Sequence, residues 1–194
     1  MLLCADAAAA SADLAGGLLA CPSCGAGRLR RWGHGRERAI RLPGGATARL
    51  RPQRARCGSC RRTHILLPSW CAPRRADAIE VIGTAAVTAA LHGAGSARIG
   101  ADLGVPAATV RGWLRRLRSR AEAIRQDAMF QLGFIGGSDP ALPAPSGSPL
   151  GDALSAVAAA AHAAITGYGF TTADLWPLLG RFGLARYLAP APGS

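Results

Sequence analysis

The sequence predicts a mainly α-helical protein with a small β ribbon at its N-terminal end, and three observations carry that prediction. Two C-x-x-C pairs, Cys21/Cys24 and Cys57/Cys60, bracket a stretch with the turn residues Pro43-Gly44-Gly45 at its middle. From Ala78 to Arg118 apolar residues recur at helical spacing, broken only at His92-Gly93 and at Gly104-Val105-Pro106. From Asp152 onward the chain is rich in Ala and Leu, nearly uncharged, and again helical in period.

Residues 1–18 are Ala-rich with scattered Asp and predict a flexible tail or a short loose helix, with Cys4 a bystander. Leu18-Leu19-Ala20-Cys21 has the outline of a lipoprotein cleavage site. No basic segment precedes it, however, and Asp6 and Asp13 interrupt the apolar run. No uninterrupted apolar stretch approaches the length of a membrane span. The expectation is a cytoplasmic protein with no membrane partner.

Residues 19–73 predict the ribbon. In each C-x-x-C pair a tight knuckle turns two thiolates toward one ion, and two knuckles supply the four ligands of a tetrahedral zinc site: Cys21, Cys24, Cys57 and Cys60. The interval between the pairs, 32 residues, exceeds the simplest ribbon spacing. A hairpin over residues 36–51, turning at Pro43 to Gly45, accounts for the excess and returns Cys57 beside Cys21. Thr63 to Leu67 forms the last strand, ended by Pro68. Two pairs outside any βαβ pattern argue against a redox C-x-x-C. A rubredoxin-like iron site fits the ligands, but the arginine density favours zinc in a nucleic-acid module. His64 and Cys71 are weaker substitutes as ligands, and His34 needs no metal role. Four thiolates leave no open coordination position, so the zinc is structural.

Charge follows the same division. The chain of 194 residues has a net charge of +12, and all 23 of its basic residues are arginine. Arg28 to Arg75 holds 14 arginines against the single acid Glu37; Arg98 to Arg125 holds seven against Asp102 and Glu122. Beyond Gln126 the balance turns acidic. A polyanion partner is implied for the first two-thirds of the chain, nucleic acid foremost.

Residues 77–130 predict a three-helix domain. Asp77 caps a helix from Ala78 to Leu91 that turns Ile79, Ile82, Ala86 and Ala90 inward. Ser96 to Arg118 reads as two helices joined by a tight turn. Gly100 allows close helix approach, Gly104 ends the first helix, and Pro106 opens the second. Val110, Trp113, Leu114 and Leu117 make one apolar face of that second helix. Ala107, Ala108, Thr109, Arg111, Gly112, Arg115, Arg116 and Arg118 occupy the others, and Arg98 flanks them from the first helix. Small residues early and arginines late suit a helix in the major groove, reading base edges and phosphates. An ordinary helical hairpin with a solvated basic face is the plainer alternative. The second helix is expected to run on to about Phe130.

Residues 136–150 are Gly/Pro/Ser-rich and read as a linker. Residues 151–190 predict a helical hairpin: Asp152 to Ile165, then Asp174 to Leu188 capped by Thr171 or Thr172. These helices either pack on the other domains or pair with a second copy as a homodimer. The fold class is therefore mainly α with a small N-terminal β zinc ribbon, a three-helix helix-turn-helix domain and a C-terminal helical hairpin.

The string C-P-S-C-G, R-C-G-S-C-R-R-T-H-I-L-L-P, P-R-R and R-I-G-A-D-L-G-V-P-A-A-T-V-R-G-W-L-R-R resembles a bacterial family that joins an N-terminal zinc ribbon to a helix-turn-helix. That family is similar to the DNA-recognition front ends of insertion-sequence transposases. The resemblance spans about residues 21 to 125 and implies binding to double-stranded DNA and a link to mobile elements. The chain departs from a full transposase after Gln126, where Asp127, Asp139, Asp152 and Asp174 sit in a linker or at helix starts. Too few residues follow for a ribonuclease-H-like domain holding two Mg²⁺ ions. The expectation is a zinc-stabilised, nucleoid-associated DNA-binding protein with no enzymatic activity and no small-molecule substrate, a regulator or transposon-associated factor. An RNA-binding or protein-docking ribbon adaptor is the alternative, and a truncated transposase the remoter one.

Overall fold

The structure is a computed structural model that describes residues 1–136, 142–169, 175–180 and 185–188. It has a small N-terminal β-sheet and is otherwise mostly helical. Four strands, β1 (Leu2–Cys4), β6 (Thr63–Pro68), β5 (Gln53–Cys57) and β2 (Leu29–His34), form one sheet in that spatial order. β1 lies parallel to β6, and the other pairs are antiparallel.

The flexible tail expected over residues 1–18 is instead part of this sheet domain. Strand β1 pairs with β6, and α1 (Ala7–Ala15) buries Ala10 and Leu14 against Leu29, Ala55 and Leu66. Asp6 starts the helix, its carboxylate accepting hydrogen bonds from the backbone N–H of Ala8 at 2.7 Å and Ala9 at 3.1 Å. Pairing across sixty residues leaves no local sign, which is why composition alone suggests a loose end.

The central hairpin forms, as β3 (Arg38–Arg41) and β4 (Thr47–Leu50) around a 3-10 turn at Pro43–Gly45. It makes its own two-stranded sheet rather than extending the first. Ile40 is fully buried and joins the helical core. The Arg41 N–H donates to the Ala76 carbonyl (2.7 Å) and the Ala78 N–H to the Arg41 carbonyl (2.8 Å). Asp77, expected to cap the first long helix, spends its carboxylate on Arg41 at 2.9 Å instead, and α2 (Ile79–His92) has no side-chain cap. Burial holds the Asp77 carboxyl above its usual range, although Arg41 and Arg75 pull it down.

Helix α2 ends at Gly93 in the left-handed conformation. Helices α3 (Ser96–Leu103) and α4 (Ala107–Arg118) follow and pack on it through Ile99, Val105, Val110, Trp113, Leu114 and Leu117. The continuation of α4 to Phe130 does not occur. The Ser119 hydroxyl bonds back to the Arg116 carbonyl at 3.0 Å, Arg120 leaves the helical region, and a separate α5 (Ala121–Ile135) begins.

The expected linker ends at Ser148, which caps α6 (Pro149–Tyr168) by accepting the Gly151 N–H at 3.1 Å; residues 137–141 lie outside the described ones. Helix α6 packs along α5 and also touches Leu175–Leu179, a piece of its expected hairpin mate. Arg125 and Met129 share a cavity wall with Asp152 and Ala156, and Leu132 and Ile135 share the next with Ala159 and His162, so the two helices run parallel. Among the described residues α6 is the one helix long and apolar enough, by length and composition, to cross a membrane. It buries Leu150, Ala153, Ala156 and Val157 in the helical core. Of the last expected helix, α7 (Leu175–Leu179) and α8 (Ala185–Leu188) are described, while Thr171, Thr172, Asp174, Phe182 and Leu184 lie outside the described residues. Both pieces turn inward: Leu178, Ala185 and Leu188 are buried, and Trp176 covers Gly83 so closely that a Cβ there would collide.

Candidate functional site

The four cysteines of the two C-x-x-C pairs come together. Their sulfurs all lie within 4.8 Å of one another, with Cys21 Sγ to Cys60 Sγ and Cys24 Sγ to Cys57 Sγ each 3.7 Å. Four sulfurs at about 2.3 Å from a central Zn²⁺ would stand about 3.8 Å apart. The cluster therefore fits a metal ion, consistent with zinc.

Strand pairing builds it. Leu29 and Cys57 are register partners at the end of β2 and β5, which lays the loop after Cys21 against the loop after Cys57. The first loop closes through Cys21 N–H to the Gly27 carbonyl and Gly25 N–H to the Cys21 carbonyl, both 2.8 Å; the second through Cys57 N–H to the Arg62 carbonyl at 2.9 Å. Ser23 N–H points at Cys21 Sγ and Cys60 N–H at Cys57 Sγ, each 3.4 Å. Gly27 is a site residue that sequence reading missed: a Cβ there would run into the Cys57 sulfur. The residue after each pair is left-handed, Gly25 at φ 68° and Arg61 at φ 62°. The second loop thus repeats the first with an arginine where glycine is easier.

The thiols are unequal. N–H bonds from Cys60 and then Ser59 pull the Cys57 thiol down to about 6 against its burial. An N–H bond at Arg62 lowers Cys60, but burial and the neighbouring sulfurs outweigh it and push the thiol up to about 11. Four adjacent thiolates repel, so one keeps its proton until a cation offsets the charge.

His64, one of the weaker substitute ligands, lies outside the four-cysteine cluster as its buried neighbour. Its Nε2 lies 3.4 Å from Cys21 Sγ, and its Nδ1 3.1 Å from the Met1 amine. With Nδ1 accepting from the amine, the tautomer assigned from these partners leaves Nε2–H for the sulfur. Burial first, then the Met1 amine and Arg62, lowers its pKa, so the ring is neutral at neutral pH. Cys71 sits apart, fully buried in the helical core, its thiol pushed up to about 12 by that burial.

On the helical side, Gly100 makes the close approach expected of it. An added Cβ would lie 2.6 Å from the Val105 carbonyl oxygen and 3.2 Å from the Ala107 nitrogen. Gly104 follows in the left-handed conformation. With the apolar face of α4 buried, Ala108, Arg111, Arg115 and Arg118 point outward, as does Arg98 of α3. Ala107, Thr109, Gly112 and Arg116 are half-buried. Burial and then the nearby charge of Arg116 lower the Arg75 pKa, and the Arg75 guanidinium donates to the Leu188 carbonyl at 2.9 Å. Arg75 is thus committed to holding α8 and not free for a phosphate.

The chain matches the model of a domain of unknown function, DUF6431, over residues 21–113. That span begins at the first cysteine of the cluster and ends at the buried Trp113 of α4, so it joins the two features into one similarity. No curated protein and no solved structure matches the chain.

Proposed function

We propose that this protein binds double-stranded DNA through a helix-turn-helix formed by α3 and α4, on a scaffold that includes a zinc ribbon closed by Cys21, Cys24, Cys57 and Cys60. The observation that carries the reading is the outward face of α4: Ala108, Arg111, Arg115 and Arg118 are exposed together, and no acid lies among them. Gly112 supports it. An added Cβ there would meet nothing within 4 Å, so packing does not require a glycine, and mid-helix glycine costs about 1 kcal/mol relative to alanine. Close approach of a partner's backbone explains its presence.

In this reading Ala107 and Ala108 let the helix seat in the major groove, and Thr109, Arg111 and Arg115 meet base edges and phosphates. Arg98, Arg116 and Arg118 supply the flanking positive charge. The zinc, held by four thiolates, stabilises the sheet domain and performs no chemistry. The role is recognition in the cytoplasm at the nucleoid, as a regulator or transposon-associated factor, with no catalytic step assigned to any residue. For self-association the chain offers the exposed Phe130 and Phe134 of α5, since the described parts of α7 and α8 face inward.

Binding of a labelled mixed-sequence duplex across a salt series tests the reading. Arg111→Ala with Arg115→Ala should weaken binding and flatten the salt slope by about one unit for each phosphate that is no longer neutralised. Unchanged affinity in the double variant would refute the assigned face.

A further inference from the structure

Among the described residues, the outer face of the four-stranded sheet leaves Arg30, Trp32 and Ile65 exposed, with Arg54 and Arg56 half-buried between them. Its inner face packs on α1, but Arg30, Trp32, Arg56, Arg54 and Ile65 lie on the other side. Register fixes this, since Arg30 pairs with Arg56 and Arg54 with Ile65, and the Arg56 guanidinium stacks over the Trp32 ring at 4.6 Å. Trp32 is 49% exposed and Ile65 40%. At its far end the same face runs into the helical core, where Leu67, two residues past Ile65, is fully buried. The surface is therefore a ledge beside the helical body.

Charge complementarity selects the occupant. Between Arg28 and Arg75 the only acid is Glu37, and it is occupied by Arg49 at 2.9 Å. Besides the side on which the Arg56 guanidinium lies, Trp32 keeps exposed indole area on which a flat apolar ring can stack. Duplex DNA offers phosphates to arginine but keeps its base faces stacked internally. Unpaired nucleotides offer both, a phosphate for each arginine and a base face for the indole. Arg56 is already oriented for this, its Nε donating to the Arg61 carbonyl at 3.2 Å. That carbonyl belongs to the left-handed arginine of the second knuckle, so the cysteine cluster itself positions the guanidinium.

We propose that this sheet face is a second nucleic-acid site, taking unpaired nucleotides of single-stranded DNA with Trp32 as the stacking plane and Arg30, Arg54 and Arg56 on the phosphates. The choice of DNA over RNA rests on the reading of α4 given above; the stacking site does not.

The test uses the full metal-loaded chain with labelled oligo(dT), oligo(rU) and a mixed-sequence duplex. Trp32→Ala should weaken oligo(dT) binding by about tenfold or more while leaving duplex affinity unchanged. Trp32→Leu, which keeps apolar bulk without the π face, should do the same, and it decides the matter should Trp32→Ala fail to retain metal. Arg111→Ala with Arg115→Ala should show the reverse pattern. Oligo(dT) binding insensitive to Trp32, or equal losses on oligo(dT) and duplex, would overturn the site. Tighter binding to oligo(rU) than to oligo(dT) would overturn the assignment to DNA. Trp32-dependent oligo(dT) binding without any duplex binding would leave this inference standing and remove the proposed function of α4.

Discussion

Cys57 and Cys60 are three residues apart, yet their surroundings drive them in opposite directions, to about 6 and about 11. At neutral pH Cys57 is already mostly thiolate, whereas Cys60 retains its proton until a cation arrives. Metal binding at pH 7 should therefore release at least one proton per ion. The dependence on pH should steepen below about 6, where Cys57 must also be deprotonated for the ion to bind. Both effects weaken binding as pH falls. Zinc titrations in buffers of different protonation enthalpy measure the released protons directly; zero release at pH 7 would contradict the described cluster. At this scale much of the site was legible. The four clustered cysteines are legible from spacing, because each C-x-x-C turn is local. Gly27 and His64 are not, because each acts through a neighbour brought in by strand pairing: the Cys57 sulfur in one case, the Cys21 sulfur in the other.

The α3–α4 pair is set by packing that single substitutions can probe. A methyl group at Gly100 would press on backbone atoms of the turn, which cannot step aside as a side-chain tip does. Gly100→Ala should cost about 1–3 kcal/mol of stability through overpacking. Gly112→Ala on α4, with open space around it, should instead stabilise by about 0.5–1 kcal/mol. Denaturant melts of the two variants beside the parent check the pair, and a similar sign for both would mean that α3 and α4 are not as close as described. Elements with local signals were readable from the chain: Gly104 and Pro106 at the turn, Gly93 after α2, and the Pro43–Gly45 reversal. Those decided elsewhere were not. Asp77 has the sequence position of a helix cap but pairs with Arg41, a partner 36 residues away. Arg120, whose guanidinium donates to the Tyr187 carbonyl at 3.2 Å, stands at a break that no glycine or proline announces.

The molecule as a whole has two cores of unequal strength. The smaller gathers Ala10, Leu14, Leu29, Ala55 and Leu66 around Cys21 and Cys57; the larger runs from Ile40 and Leu67 of the strands through α2 to α8. Adjacent residues of β6 divide between them, Leu66 into the small core and Leu67 into the large one. Few large side chains fill the small core, and a metal ion held by the four cysteines would tie its two loops together. The large core holds Ile79, Ile82, Trp113, Leu117 and Ile124 and needs no such tie. Chelation should therefore melt the molecule in parts. Amide protection should fall in α1, β2, β5 and β6, while α2 to α6 stay protected and the helical circular dichroism changes little. On the proposed reading, duplex binding through α4 should persist under chelation. Oligo(dT) binding through Trp32 should vanish, because the ledge ceases to exist. Loss of all helical signal together with the metal would show a single cooperative unit in place of two, with β6 transmitting the collapse through Leu67.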